Sequence, residues 1–362
     1  MATVSLCMIV RNEEEVLARC LDSVADVVDE IVIVDTGSTD RTREIAARYT
    51  DRIYDFSWID DFAAARNEAF SHATMDYQMW LDADDMLMEA DREAFRQLKE
   101  TLDGSVDVVM MRYHAAFDEQ GNPSLSYYRE RLLRREMGFV WDGAVHEVIV
   151  PAGNILYSEI AVAHCKPASR NKGDSDRNLR IYERLLAQGA AFGPRQQYYY
   201  ARELCDHGRY ADAVAQLEAF LAKGQGWVEN NIEACGLLAR CYQMLGRDHE
   251  ALSALYRSFA YDLPRAEICC AIGQCYCDWA DWQKAVFWYK MAASRPMNEQ
   301  SGGFCQPDCY GFLPYLQLCV CSDRLGDYEA AERYNEMAAA RKPEDPAVKH
   351  NRQYFATLRD GK

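Results

Sequence analysis

Short apolar runs alternate with helix-patterned segments of about ten residues through the first half of this chain, and few architectures accept that rhythm. Val4 to Val10, Glu30 to Asp35, Arg52 to Trp58, Tyr77 to Leu81 and Val106 to Tyr113 read as strands. Between them lie helical patterns over Glu13 to Val24, Arg41 to Tyr49, Asp61 to Ala73 and Asp91 to Leu102. In the first helix Val16, Leu17, Cys20, Leu21 and Val24 stand at helical spacing, with Asn12 as its cap. Strands separated in this way form βαβ units and a mostly parallel sheet. Right-handed crossovers place the loops after successive strands on one edge, where α/β sheets take ligands. Arg11-Asn12-Glu13, Asp35 to Asp40 and Asp82 to Asp85 therefore converge. Neither G-x-G-x-x-G nor G-x-x-x-x-G-K-[ST] occurs, which weakens a dinucleotide or P-loop reading.

The stretch Tyr77-Gln78-Met79-Trp80-Leu81-Asp82-Ala83-Asp84-Asp85 ends an apolar strand in three carboxylates. In extended chain Asp82 and Asp84 point the same way. Two hard oxygen ligands beside substrate phosphates suit a Mg2+ or Mn2+ ion. The plainer alternative is a helix start, where Asp caps unpaired N–H groups.

The 362 residues suffice for two or three domains. A net charge of −17 argues against sequence-independent nucleic-acid binding, which needs Lys and Arg against phosphates. Most of the fourteen cysteines fall inside apolar helical patterns and read as small buried hydrophobes. With no signal peptide evident, a reducing cytoplasm is expected. Cys305-Gln306-Pro307-Asp308-Cys309 could close a small loop or bind metal, but no second pair stands at zinc-site spacing. No apolar run reaches the roughly 20 residues of a membrane span.

Cys-Met-Ile-Val-Arg-Asn-Glu ending the first strand, Val-Asp-Thr-Gly-Ser-Thr-Asp after the second, Phe-Ala-Ala-Ala-Arg-Asn within Phe62 to Asn67, and Leu-Asp-Ala-Asp-Asp resemble, in order, the motifs of family-2 glycosyltransferases of GT-A fold. The resemblance implies that Val10 and Asp35 hold a nucleoside diphosphate-sugar and that Arg66 helps hold the diphosphate, with Asn67 behind it. It makes Asp84 the direct metal ligand and Asp82 a ribose contact or a further metal ligand. Asp85 equally suits a helix cap. A carboxylate such as Asp35 accepts hydrogen bonds from base or ribose, and the Arg66 fork suits phosphate oxygens. The bland alternatives are a turn role for Asp35 and a solvated helix position for Arg66.

Ser124 to Arg135 reads as a Tyr- and Arg-rich strand or hairpin, in which Arg131 and Arg134 more readily stand in solvent than approach a phosphate. Beyond it comes Phe139-Val140-Trp141-Asp142-Gly143-Ala144-Val145-His146-Glu147, whose Val-His-Glu resembles a segment that lies under the acceptor in related enzymes. The resemblance makes Glu147 or His146 the catalytic base; many relatives use Asp, and a structural ion pair is the alternative for Glu147. His164, ending the strand-like Ile160 to His164, is by resemblance a metal or diphosphate contact, against a plain structural role. Lys166 to Asp176 reads as a loop over the donor.

Asp176 to Gln188 reads as a connecting helix, and no strand signal follows it. An internal repeat does: Gly208-Arg209-Tyr210, Gly246-Arg247-Asp248, Ala280-Asp281-Trp282 and Gly326-Asp327-Tyr328, each followed by a small residue (Ala213, Ala251, Ala285, Ala331). These resemble tetratricopeptide repeats, helix pairs with a period of roughly 34 residues, interrupted by an insert at Met297 to Pro307. An irregular helical bundle is the alternative. Tyr198, Tyr199, Tyr200, Trp279, Trp282 and Trp288 serve either a groove or, individually with more reason, the repeat core.

The expected fold is α/β, a GT-A nucleotide-sugar-binding domain over 1–175, a connecting helix over 176–193, an all-α tetratricopeptide-like solenoid over 194–345 and a tail over 346–362. The expected function is metal-dependent inverting transfer from a nucleotide-sugar, UDP-linked, to an acceptor. The order of domains is similar to bacterial peptide S-glycosyltransferases, which implies a peptide or protein acceptor, with the repeats positioning it or pairing two copies as a homodimer. The alternatives are transfer to a glycan or lipid-linked sugar, and a non-catalytic repeat scaffold with a degenerate nucleotide site.

Overall fold

The structure, a computed structural model, describes residues 1–165 and 176–360. The expected donor loop from Lys166 lies, up to residue 175, outside the described residues. The chain divides into two compact units, Met1–Ala191 and Phe192–Lys362.

The first unit is built on an eight-stranded sheet. In chain order its elements are β1 (Val4–Val10), α1 (Leu17–Asp22), β2 (Glu30–Asp35), α2 (Thr42–Ala46), β3 (Ile53–Asp55), α3 (Phe62–Ser71), β4 (Tyr77–Trp80), β5 (Asp85–Leu87), α4 (Glu89–Thr101), β6 (Val108–Phe117), β7 (Pro123–Arg134), β8 (Ile155–His164) and α5 (Arg177–Ala187). The sheet order is β3-β2-β1-β4-β7-β6-β8-β5. Its β3-β2-β1-β4 half is parallel, as the βαβ rhythm predicts. The other half is mixed, because β6 and β7 form an antiparallel hairpin and β5 runs antiparallel to β8. Every residue of β2 and β4 is buried, as expected of strands covered on both faces. Along β1, Leu6 and Met8 enter one apolar cluster and Cys7 the other, the two-residue period of a pleated strand.

Three local expectations change. Asn12 does not cap the first helix: it takes a left-handed φ of 56° and its Oδ1 accepts from Thr39 N at 2.8 Å, which ties the two loops together and delays α1 to Leu17. The edge strand β3 stops at Asp55, opposite Asp35. Asp85, for which a helix cap is an equal alternative in sequence, opens the short strand β5.

The second unit contains α6 (Pro194–Asp206), α7 (Tyr210–Lys223), α8 (Val228–Met244), α9 (Asp248–Arg257), α10 (Ala266–Asp278), α11 (Trp282–Ala293), α12 (Phe312–Arg324), α13 (Tyr328–Ala339) and α14 (Pro346–Asp360). The repeat anchors are the turns between paired helices. Gly208, Gly246, Ala280 and Gly326 have φ of 73°, 71°, 56° and 79°. The next residue donates its N–H back across the turn, Arg209 to Leu204, Arg247 to Tyr242, Asp281 to Tyr276 and Asp327 to Ser322, at 2.8–2.9 Å. This is the left-handed helix stop that favours glycine. Ala213, Ala251, Ala285 and Ala331 are wholly buried, so small side chains do stand where paired helices meet. Tyr198, Tyr199 and Tyr200 are buried, whereas Trp279 is 37% exposed.

The insert before α12 is anchored by carboxylates on α8 and α10. Glu233 accepts from Phe304 N at 3.2 Å, and Glu267 accepts from Gln306 N and Tyr310 Oη, both at 2.9 Å. Cys305 and Cys309 are both buried free thiols.

Candidate active site

Because β1, β2 and β4 are adjacent and parallel, their carboxyl ends lie on one edge. Val10 is in register with Asp35, and Val10 O accepts from Thr36 N at 3.0 Å. Asp35 is 5% exposed. Its Oδ1 accepts from Gly37 N at 3.0 Å and Ser38 N at 2.8 Å. The turn needs Gly37, whose φ is 104°. The turn role and a ligand role for Asp35 are thus compatible, since both bonds fall on one carboxylate oxygen.

Beyond β4 the chain folds into a tight turn. Asp82 N donates to Asp85 Oδ2 at 3.1 Å, and Asp85 N donates to Asp82 O at 3.0 Å. The rest of the Asp85 carboxylate is taken up inside the protein. Tyr113 Oη donates to Oδ1 at 3.0 Å, and Arg131 Nη1 lies 3.1 Å from Oδ2. Arg131 also donates to Trp80 O at 3.0 Å, and its guanidinium lies 3.8 Å from the Trp80 ring centre and 4.6 Å from that of Tyr113. Arg131 is fully buried, which corrects its reading as a solvent residue. The sequence hint was slight: an Arg directly before Leu132-Leu133 inside a strand.

Arg66 also packs near Trp80. Its Nη2 lies 2.7 Å from Asp82 Oδ1 and its Nε 2.6 Å from Glu147 Oε1. The guanidinium sits 5.1 Å from the Trp80 ring centre and 4.8 Å from that of Trp141. One planar fork therefore sets the first carboxylate of the turn and the carboxylate expected to act as base. Burial is the largest single influence on the Asp82 carboxyl and raises it, but the charge and hydrogen bond of Arg66, joined by the charges of Arg131 and His164, together hold the group down to about 2. Asn67 grips the same segment, accepting from Trp141 N at 2.8 Å and donating to Trp141 O at 3.0 Å. Phe62 N donates to Ala144 O at 2.8 Å. The Phe62 to Asn67 motif thus holds the Trp141 to Glu147 segment in place. His146 adopts a left-handed φ of 52° and stacks on Tyr182, with ring centres 6.4 Å apart.

His164 is opposite Asp85 in the β5–β8 ladder, and Cys165 N donates to Asp84 O at 2.8 Å. His164 Nδ1 lies 3.3 Å from Asp85 Oδ1 and 3.5 Å from Asp84 Oδ1. The hydrogen bond to Asp85 raises the imidazole pKa, while burial raises that of the Asp84 carboxyl. Asp84, Asp85 and His164 each offer a ligand atom within 4.8 Å of the others, the one such group among the described residues. One imidazole nitrogen and two carboxylates converging on one point fit a divalent ion. Asp85 is already engaged by Arg131 and Tyr113, so Asp84 and His164 carry the vacant donor capacity. An imidazole in the set favours Mn2+ over Mg2+. Asp82, also expected as a metal ligand, stands with Arg66 rather than in this group.

No helix among the described residues is long and apolar enough to cross a membrane. The model of "Glycosyl transferase family 2" matches residues 5–158, which include Val10, Asp35, Arg66, Asp82, Asp84, His146 and Glu147. A "TPR repeat-containing protein" of Synechococcus elongatus is 52% identical over 244 residues, 64% of this chain and 57% of that protein. The glycosyltransferase SunS of Bacillus subtilis is 25% identical over 264 residues, 70% of this chain and 61% of SunS. The lipopolysaccharide core biosynthesis glycosyltransferase LpsC of Rhizobium meliloti is 31% identical over 204 residues, 54% of this chain and 74% of LpsC. This chain therefore spans about three fifths of the length of the first two relatives. With its carboxylate-ended sheet edge followed by paired helical repeats, the chain belongs to glycosyl transferase family 2, a GT-A domain followed by a tetratricopeptide-like solenoid.

Proposed function

We propose that this chain transfers a sugar, with inversion, from a UDP-linked donor to a peptide or protein side chain in a metal-dependent reaction. The observation that carries the reading is the shared Arg66 fork, which holds Asp82 and Glu147 beside the Asp84–His164 pair. Val10 and Asp35 receive the nucleoside, and Asp82 the ribose. Asp84 and His164, with Asp85 behind them, would hold Mn2+ or Mg2+, which would supply positive charge for the departing diphosphate.

Transfer is one displacement. The acceptor atom bonds to the anomeric carbon as that carbon's bond to the diphosphate oxygen breaks, and the acceptor proton passes to a base. Glu147 is that base, oriented through Oε1 by Arg66 Nε, and His146 is its alternate. Arg66 acts on the donor through Asp82 rather than by direct grip.

The helical unit supports the peptide acceptor. It contains a cavity of ≈ 550 Å³ lined by side chains of both charges and by apolar ones, among them Arg202, Arg295, Glu229, Glu267, Ile232 and Phe304. A saccharide acceptor is the second reading, favoured by the likeness to LpsC, whose name places it in lipopolysaccharide core biosynthesis.

The test is hydrolysis of a nucleotide-sugar panel with Mn2+, with Mg2+ and with chelator. Metal-dependent release of one nucleoside diphosphate supports the proposal. A folded protein that binds no donor would point to the scaffold alternative.

A further inference from the structure

Helices α10 and α12 are neighbours in the helical unit, and each brings a cysteine to the other. Cys277 Sγ, near the end of α10, lies 3.5 Å from Cys321 Sγ on α12. Around them are the apolar side chains of Cys270, Ala285, Tyr289 and Leu318. The two thiols differ in access: Cys321 is fully buried and Cys277 is half-buried.

We propose that Cys277 and Cys321 form an oxidative modification site, at which a low-molecular-weight disulfide converts the thiol pair into a cross-link between α10 and α12.

The exchange takes two steps. Cys277, as thiolate, attacks one sulfur of the reagent; the reagent's S–S bond breaks and one thiolate leaves, taking up a proton. Cys321 then gives up its proton and attacks the Cys277 sulfur, expelling the second thiol. Two cysteines are oxidised, one disulfide is reduced to two thiols, and both cysteine protons end on the released thiols. The order follows from the surroundings. A hydrogen bond from Cys321 lowers the Cys277 pKa below the ordinary thiol value, and the same contact, with burial, raises that of Cys321. A more accessible, more acidic thiol beside a resolving partner is the arrangement that oxidants select.

A disulfide needs its sulfurs about 2.05 Å apart, so the pair must close by roughly 1.5 Å, within reach of a side-chain rotation and a small helix adjustment. Two further thiol pairs hydrogen-bond, Cys205 with Cys241 and Cys270 with Cys309. All four of those thiols are buried, which leaves Cys277 as the entry point among the six. The cross-link would fix the spacing of two helices that belong to successive repeats.

The test uses the full chain, incubated with oxidised glutathione, then alkylated under denaturing conditions and mapped by non-reducing peptide mass spectrometry. The expected product is two hydrogens lighter than the reduced chain, with the Cys277 and Cys321 peptides joined. Cys321→Ala should instead retain glutathione on Cys277, and Cys277→Ala should leave Cys321 fully alkylated. Complete alkylation of both thiols in the unaltered chain, a lasting glutathione adduct on its Cys277, or earlier cross-linking of another pair would overturn the proposal. The unaltered chain's map decides even if a variant fails to fold.

Discussion

Arg131 Nη1 lies 3.1 Å from Asp85 Oδ2, and neither side chain is exposed to solvent. This buried pair underlies the acidic turn: the same carboxylate accepts from Asp82 N and Tyr113 Oη and faces His164 Nδ1. Asp82 and Asp84 take their positions from a charge that never meets substrate.

Breaking the pair should be costly. Arg131→Met takes the guanidinium from a fully buried carboxylate, leaving Asp82 N, Tyr113 and His164 as its partners, and losing one member of a buried pair costs about 3–5 kcal/mol. Chemical denaturation of the variant measures this directly. A change under about 1 kcal/mol would mean that the pair contributes little beyond what packing supplies.

Asp84→Ala should separate activity from stability. Its carboxylate lies beside His164 and close to Asp85 without being the partner of Arg131, and removing it relieves carboxylate repulsion, so the unfolding midpoint should hardly move. Mn2+ affinity and metal-dependent donor hydrolysis should fall by at least the roughly 10–100-fold that loss of an outer-shell partner costs. Titration calorimetry with Mn2+ provides the readout, and unaltered affinity would remove Asp84 from the metal set.

Glu147→Gln keeps the size of the side chain and the hydrogen bond to Arg66 while removing the base. Donor affinity should hold, and transfer should drop by about 10²–10⁴-fold. If transfer persists in this variant and is lost in His146→Ala, the base is His146.

Acid stability should depend on Asp82. Burial raises its carboxyl, but Arg66, with Arg131 and His164, more than offsets burial and sets it to about 2, below the ordinary carboxyl value of 3.8. A folded pKa below the unfolded one contributes stability that is fully present above the unfolded value and is lost as pH falls towards the folded one. The contribution should therefore fade between pH 3.8 and about 2. Unfolding curves of Asp82→Asn across that window should slope less steeply with pH than those of the unaltered chain.

In the helical unit, Ala280 holds a φ of 56° where the other three repeat turns have glycine. Ala280→Gly should relieve roughly 1 kcal/mol of left-handed strain, and Gly246→Ala should introduce a similar cost. Thermal melts of the two variants should shift in opposite directions.

Much of this was legible in the chain itself. Strand and helix patterns are local, so the parallel half of the sheet and the turns at Gly208, Gly246, Ala280 and Gly326 could be read from spacing. The acidic turn and the Phe62 to Asn67 motif stood out because several unusual residues are adjacent in sequence. The antiparallel β6–β7 hairpin was half legible, since Ser124 to Arg135 looked like a strand but nothing local set its direction within the sheet.

Partnerships were another matter. Nothing near Arg66 announces that one guanidinium will hold both Asp82 and Glu147 beside two indole rings, and nothing near Arg131 announces a partner as distant in sequence as Asp85. Likewise Cys277 and Cys321 read alone as small apolar residues of two separate helices. By itself, then, the sequence determined the order of elements, the family motifs and the sheet edge at which they meet, because those follow from short-range periodicity and backbone stereochemistry. The tertiary structure decided which carboxylates pair with a guanidinium, which gather round an imidazole and which thiols touch, because those depend on through-space distance and burial between segments that sequence spacing does not relate.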